Sequence, residues 1–188
     1  MVEQYREMLE QFPVVAAVKN EEGLRRCIEA ECQMVFVLFG DICGIGGLVK
    51  RLKEAGKTVF VHLDLVDGLE AKEVSVRFIR QYTLADGVIS TRPALIKAAK
   101  ALGMATVQRF FLLDSIALSN VTRHIESDQA DFIEVLPAVM PKVIHRLAEA
   151  LPVPLIAGGL ISDKEDILSV LQAGATAVSC TNPDTWFM

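Results

Sequence analysis

The sequence predicts an α/β fold, and within that class a small (β/α)8 TIM-type barrel. Short apolar runs rich in β-branched residues alternate with amphipathic helical patterns along the 188 residues. Several runs are apolar at successive positions, which is typical of strands buried on both faces of a parallel sheet. There are about eight such runs, and eight βα units close economically into a barrel. An open doubly wound sheet is the alternative.

The predicted strands follow one another at short intervals. In chain order they are residues 14–18, 34–39, 58–63, 87–89, 105–110, 132–136, 154–157 and 176–180. Between them, apolar residues recur at i, i+3, i+4 and i+7, as in Ile45, Leu48, Val49 and Leu52, and place one stripe against a sheet. Gly56, Gly103 and Gly174 each stand between such a helix and the next strand, where a left-handed residue ends a helix.

The two ends of the chain depart from the regular unit. Tyr5, Met8, Leu9 and Phe12 fall on one face of an extra N-terminal helix that is expected to cover part of the barrel. Only residues 183–188 follow the eighth run, so the last helix is expected to be truncated. Ser162, with Glu165 three residues later, predicts a capping box at the start of the helix that ends near Ala173.

Composition bounds the class of protein. Apolar residues make up 52% and charged residues 23%, which supports one packed domain over residues 1–188 and excludes a disordered chain. The apolar run at 34–39 is far shorter than the roughly 20 residues of a membrane span. Charged residues near the start exclude a signal peptide there, so a cytoplasmic protein that binds no membrane is expected. The four cysteines lack metal-ligand spacing and are expected to be free thiols, with no metal.

Ligands of such folds lie at the carboxyl ends of the strands, so the polar and glycine residues that close each strand are the candidates. The candidate ligand-binding residues are Lys19, Asp41, His62, Asp64, Arg109, Glu134, Gly158, Gly159, Thr181 and Asn182. His62 and Asp64 share strand parity and point to one side. A purely structural network of these acids with Lys19 and Arg109 is the alternative.

Gly158 and Gly159 favour phosphate binding. Without a Cβ, their backbone lets an anion approach closely. In barrels, phosphate commonly binds between the loops that follow strands seven and eight, which is where this glycine pair and the polar end of the eighth run lie.

Seven segments of the chain resemble one family. They are residues 13–19, 38–42, 61–69, 90–93, 108–115, 134–137 and 154–161, and the run from Val61 to Leu69 is the most specific. Over almost its whole length the chain resembles the glycerol-3-phosphate-responsive antiterminators, the bacterial regulators of glycerol uptake operons. At the end of the eighth run it has Ser179-Cys180-Thr181-Asn182, where a more hydroxyl-rich stretch is expected.

The resemblance implies a regulator without a cofactor. Its effector would be glycerol 3-phosphate, and its partner the leader mRNA of a glycerol operon, on which it would permit transcription past a terminator. Lys19, Asp41, His62, Asp64, Arg109, Glu134, Gly158 and Gly159 match family-like positions. Assembly into a homo-oligomer is left open.

RNA binding by a chain of net charge −5 requires a local basic patch. The predicted patch consists of Lys50, Arg51, Lys53, Lys57, Arg25 and Arg26. Since the sequence has no RNP-type aromatic motif and no arginine-rich arm, the RNA prediction depends on the resemblance. The alternative is an aldolase, isomerase or glycerol-phosphate prenyltransferase with His62, Asp64 or Glu134 as acid or base.

Overall fold

The computed structural model of the chain is a closed barrel of eight parallel strands, and it describes residues 2–125 and 130–187. The strands pair in chain order, and β1 also pairs with β8, which confirms the barrel and rejects the open sheet. The strands are β1 Val14–Val18, β2 Met34–Val37, β3 Thr58–His62, β4 Gly87–Ser90, β5 Ala105–Phe111, β6 Phe132–Leu136, β7 Leu155–Gly158 and β8 Ala177–Cys180.

Helices cover the outside of the barrel. They are α1 Val2–Gln11, α2 Glu21–Glu29, α3 Ile45–Glu54, α4 Glu73–Tyr82, α5 Pro93–Ala101, α6 Ser115–Ile125, α7 Pro141–Ala150 and α8 Lys164–Gln172. A short 3₁₀ helix, Leu63–Leu65, follows β3, and another, Pro183–Phe187, follows β8 in place of an outer α-helix. Trp186 of the latter is buried and donates its Nε1–H to the Cys180 carbonyl at 2.9 Å, which fixes the segment against β8.

Alternate residues of each strand serve two separate apolar cores. One set packs outward against the helices. The other fills the barrel interior and consists of Val15, Ala17, Met34, Phe36, Phe60, Ile89, Ala105, Val107, Phe132, Ile156 and Ala177. Tyr5 and Leu9 of α1 join the interior set, and the Tyr5 ring meets the Phe60 ring edge-on at 5.8 Å between centroids. As predicted, α1 therefore covers the barrel, at the end where the strands begin.

Three charged residues tie the strands together at that same end, Lys57 and Asp131 buried and Asp86 half-buried. We call this end the amino-terminal rim and define it by Lys57, Asp86 and Asp131. Lys57 donates to the carbonyls of Ala30 and Cys32 at 2.6 and 2.8 Å. Asp86 accepts the backbone N–H of Val59 at 2.8 Å.

Asp131 links the starts of β5 and β6 in the same way as Asp86 links those of β3 and β4. It accepts the backbone N–H and the hydroxyl of Thr106 at 2.9 and 2.7 Å. A lysine on the adjacent helix neutralises each acid, Lys53 at 2.7 Å from Asp86 and Lys100 at 3.3 Å from Asp131. These bonds connect the starts of neighbouring strands and hold their register.

Local signals at the helix ends agree with the structure, with one exception. Gly56, Gly103 and Gly174 have the positive φ angles expected after a helix. The capping box predicted from Ser162 and Glu165 is wrong: Asp163 caps α8 by accepting the N–H of Asp166. The Asp166 carboxylate in turn accepts the N–H of Ser162, so two acids occupy the start of this helix. In the described part of the chain, no helix is long and apolar enough to cross a membrane.

Candidate functional site

A layer of polar side chains closes the barrel interior where the strands end, at the carboxy-terminal rim. Arg109 on β5 donates its Nε–H to Glu134 on β6 at 2.6 Å, across a directly paired register position. Ser179 on β8 donates its hydroxyl to the other oxygen of Glu134, also at 2.6 Å. All three side chains are buried. The carboxylate thus links three strands and leaves the guanidinium of Arg109 with its two terminal amino groups available.

A small cavity of about 80 Å³ lies directly above this layer. Arg109, Ser179, Gly159, Leu160 and Thr181 contribute to its lining. Among the described residues, only the Nε of Arg109 is engaged in a bond, so its terminal nitrogens are free for a ligand. The cavity therefore combines a cation, hydroxyls and a glycine-containing backbone turn.

The two glycines at the end of β7 are each required by their surroundings. A Cβ on Gly158 would collide with the Ser179 hydroxyl and lie 3.3 Å from Glu134 Oε1. Gly159 has φ +79°, which favours glycine, and the next residue, Leu160, also has a positive φ, of 61°, although its side chain is 70% exposed. Since a left-handed leucine costs roughly 1–2 kcal/mol, the turn stores strain beside the cavity.

His62 and Asp64 form a second polar cluster at the end of β3. Asp64 accepts the Ser90 hydroxyl at 3.0 Å and the Thr91 N–H at 2.7 Å. His62 is buried, and its Nδ1 lies 3.9 Å from Asp64 Oδ2, too far for a hydrogen bond. Among the described residues this nitrogen has no hydrogen-bond partner. Burial, and then the nearby Arg109 charge, lower the pKa of His62 to about 4 against the opposing effect of Asp64. The imidazole is therefore neutral at pH 7.

The remaining predicted ligand residues lie farther round the rim. Asp41 Oδ1 accepts the N–H groups of Cys43 and Gly44 at 2.8 and 2.7 Å, so its side chain shapes the turn that leads into α3. Lys19 and Asn182 line a neighbouring cavity of about 420 Å³ beside Trp186. Asn182 also donates to the Ser162 carbonyl at 2.8 Å. Thr181 lines both cavities and joins them.

Most members of the predicted RNA patch are paired with acids. Arg51 donates to Glu21 at 2.9 Å and Arg26 to Asp184 at 2.7 Å, while Lys53 is held by Asp86. Lys50 lies 3.7 Å from Glu54, and Arg25 is exposed. Lys57 is 6% exposed and bound to two carbonyls, so its inclusion in a surface patch is wrong. Its position just after Gly56 gives no sequence signal of burial.

The whole chain corresponds to one sequence family. The glycerol-3-phosphate responsive antiterminator family matches residues 14–186. The chain belongs to this family. The resemblance found in the sequence motifs is thereby confirmed.

Relatives of this antiterminator family member cover nearly its full length. The Escherichia coli (strain K12) protein YgcP is 44% identical over 179 residues, which are 95% of this chain and 94% of YgcP. The crystal structure of a glycerol uptake operon antiterminator regulatory protein from Listeria monocytogenes is 33% identical with a TM-score of 0.87, over 92% of this chain and 94% of that one. A glycerol uptake operon antiterminator-related protein from Thermotoga maritima is 34% identical with a TM-score of 0.82, over 93% and 98%. Barrel enzymes at 13–19% identity share the fold alone.

The sequence prediction missed two features of the candidate site. Ser179 was not among the predicted ligand residues, although it shares inward parity with Thr181 two positions later. Leu160, with its positive φ, gives no signal in the sequence. Gln108, next to Arg109, is buried with no partner for its Nε2 among the described residues, but it alternates with Arg109 and faces the helix side of β5. Among the described residues, no group of three or more His, Cys, Asp and Glu side chains could hold a metal ion.

Proposed function

We propose that this antiterminator binds glycerol 3-phosphate at the carboxy-terminal rim and, in response, binds the leader mRNA of a glycerol operon to permit transcription past a terminator. The observation that carries the proposal is the small cavity in which the Arg109 guanidinium meets the Gly158-Gly159-Leu160 turn. A glycerol phosphate has an anionic end and a hydroxylated end, and the rim offers a suitable partner for each.

The phosphate end would lie against Arg109, Ser179 and the glycine turn. An arginine is the preferred partner of phosphate oxygens because its donors form a planar fork. The Glu134 carboxylate neutralises one side of Arg109 and fixes its orientation, so its remaining donors point in a set direction. The start of α8 is a poorer candidate, because Asp163 and Asp166 already occupy it with negative charge.

The glycerol end would lie against His62. Its buried Nδ1 has no partner, and leaving such a group unsatisfied costs free energy that a ligand hydroxyl would recover. A neutral imidazole presents both a donor and an acceptor to a hydroxyl. His62 and Arg109 both occupy inward-facing positions near the carboxyl ends of their strands, alternating with Phe60 and Val107, and the Arg109 charge contributes to the lowered pKa of His62.

The engagement of the acids favours binding over turnover. Glu134 is held by Arg109 and Ser179, and Asp64 by Ser90 and Thr91. A general base has to accept a proton from the substrate, and neither carboxylate is available for that without losing these bonds. His62, with its lowered pKa, is a weak base.

A gel shift tests the RNA half of the proposal. The labelled leader of a glycerol-operon transcript is incubated with the protein, with and without glycerol 3-phosphate, and the same samples are assayed for conversion of the compound. We expect tighter RNA retention with glycerol 3-phosphate and no conversion. Retention that ignores the compound would contradict effector control, and conversion without RNA would support an enzyme instead.

A further inference from the structure

The positive charge of this acidic protein is concentrated in one sector of the barrel. Residues 45–101, from α3 to α5, contain ten Lys and Arg against six Asp and Glu. The rest of the chain contains nine against eighteen. The sector is therefore a basic surface on a chain whose remaining surface repels nucleic acid.

Within this sector, the exposed cations of α4 and α5 differ from those of α3. Arg77, Arg80 and Lys97 are exposed, and in the described part of the chain none has an acid partner. By contrast, Arg51 forms an ion pair with Glu21, and Lys53 forms one with Asp86. Only unpaired cations release counterions when they bind phosphates, and so contribute to affinity for RNA.

The helix that carries Arg77 and Arg80 also carries an exposed aromatic ring. Tyr82, at the end of α4, is 64% exposed, and its ring packs against that of Phe78 in a tilted arrangement, with 5.2 Å between centroids and 33° between the planes. Leu84, just beyond it, is 61% exposed. A ring braced from behind by a second ring and open in front is suited to stack on a nucleobase, and such stacking tolerates any base.

A groove borders the same rings. It has a volume of about 380 Å³ and is lined by Ile42, Leu69, Val74 and Phe78 among others. Because Phe78 belongs both to the groove and to the ring pair, the groove continues the stacking surface towards the carboxy-terminal rim.

This surface is directly connected to the proposed effector site. Asp64 lies in the 3₁₀ helix that follows β3, on the way to α4. It binds the Ser90 hydroxyl and the Thr91 N–H, immediately before Arg92, which caps α5. A ligand that engages His62 would therefore lie near Asp64, which holds the residues just before α5 and stands at the start of the segment that leads to α4.

We propose that the exposed face of α4 and α5 binds single-stranded RNA, with Tyr82 as the stacking platform and Arg77, Arg80 and Lys97 as phosphate contacts. We call it the α4–α5 face. The assignment rests on the proposed RNA-binding function and specifies its surface. The occupant follows from the combination of unpaired positive charge and an exposed ring, since two copies of this chain paired through this face would set the same cations against one another.

The test is a gel shift of the glycerol-operon leader RNA over a series of salt concentrations, with glycerol 3-phosphate present. R77E/R80E should weaken binding at least about 10-fold and reduce the steepness of the salt dependence by about 1.4, since each contact on single strands contributes roughly 0.7. The matched control is K142E/R146E, which makes the same charge change at two exposed positions of α7. It should change affinity less than about threefold.

A second pair of variants separates the ring from the charge. Tyr82→Ala should weaken binding by about 5- to 150-fold, the range for one stacked base, and Tyr82→Phe should restore it. Both variants should titrate glycerol 3-phosphate like the wild type, which shows that they are folded.

Two results would overturn the assignment, and they are distinguishable. If the wild-type protein binds RNA and R77E/R80E and Tyr82→Ala behave like K142E/R146E, the surface is wrong and the proposed function stands. If the wild-type protein binds no RNA with or without glycerol 3-phosphate, both fall. A change of oligomeric mass in R77E/R80E with RNA binding intact would instead assign the face to a second copy of the chain.

Discussion

At the amino-terminal rim, Lys57, Asp86 and Asp131 bond to backbone atoms of neighbouring strands; at the carboxy-terminal rim, Arg109, Glu134 and Ser179 bond mainly to one another. The first arrangement satisfies backbone carbonyl and N–H groups near the starts of the strands. The second leaves the terminal nitrogens of Arg109 and the Nδ1 of His62 available. The comparison teaches that buried charge serves register at one end of this barrel and recognition at the other.

The largest expected effect comes from the amino-terminal rim. Asp131→Ala removes the acceptor of both the Thr106 N–H and its hydroxyl and leaves Lys100 without its acid. We expect the free energy of unfolding to fall by about 4 kcal/mol, because two buried Thr106 donors lose their acceptor at about 2 kcal/mol each, with unchanged affinity for glycerol 3-phosphate. Urea denaturation and calorimetric titration measure the two quantities. If Asp131→Ala instead lost affinity for glycerol 3-phosphate and kept wild-type stability, the amino-terminal rim would serve binding rather than folding.

The stability of the protein should depend on pH through the buried His62. Because its pKa in the folded protein is lowered to about 4 from 6.5, the folded state binds fewer protons than the unfolded state between these pH values. The wild-type protein should therefore lose stability as the pH falls from 6.5 to 4, by about 3 kcal/mol from this group. His62→Gln should remove that part of the pH dependence in denaturation curves. An unchanged curve would mean that the imidazole is solvated.

The glycine turn should matter for ligand rather than for folding. Gly159→Val should weaken glycerol 3-phosphate binding about 100-fold, by disturbing charge-assisted bonds to the phosphate, at a backbone cost of roughly 1–2 kcal/mol. Gly56→Val is the matched control, because φ there is +77° against +79° and a Cβ at Gly56 meets nothing within 4 Å. The control should show the backbone cost alone in denaturation, to which Gly159→Val adds a Cβ contact with Leu136 at 3.3 Å, and it should keep wild-type affinity in titration. Equal affinities for the two variants would reduce Gly158-Gly159 to an ordinary turn.

The smallest expected effect concerns the strain at Leu160. Leu160→Gly should raise the free energy of unfolding by about 1 kcal/mol, because glycine accepts the positive φ that leucine resists. The side chain is largely exposed, so little packing is lost. Thermal denaturation measures the change. A loss of stability would show that the Leu160 side chain, rather than its backbone, holds the turn.

The sequence predicts the barrel well because the signals for it are local. Strands with apolar residues on both faces, and glycines after helices, predicted both ends of every strand to within two residues. The contacts that build the rims are not local. Glu134 meets Ser179 across 45 residues and Arg109 across 25, and Lys57 reaches carbonyls 25 and 27 residues away. Such pairs have no signature in spacing, which is why Ser179 was missed and Lys57 misplaced.

The charged patch shows the same limit. Lys50, Arg51 and Lys53 are adjacent in sequence and look like one basic surface, but Glu21 and Asp86, 30 and 33 residues away, pair with two of them. The apparent charge of a run depends on acids that the fold brings to it. Arg77 and Arg80 form a less dense basic run in the sequence than Lys50, Arg51 and Lys53. The fold nevertheless leaves them without an acid partner among the described residues.

The most direct test of the central claim, that the carboxy-terminal rim is built for recognition of a glycerol phosphate, is a calorimetric titration of the wild-type protein with glycerol 3-phosphate and, separately, with free glycerol. We predict saturable binding to one site for glycerol 3-phosphate, with the phosphate supplying most of the affinity, and no measurable heat of binding for glycerol at the same concentrations. No binding of glycerol 3-phosphate, or equal binding of the two compounds, would contradict the assignment.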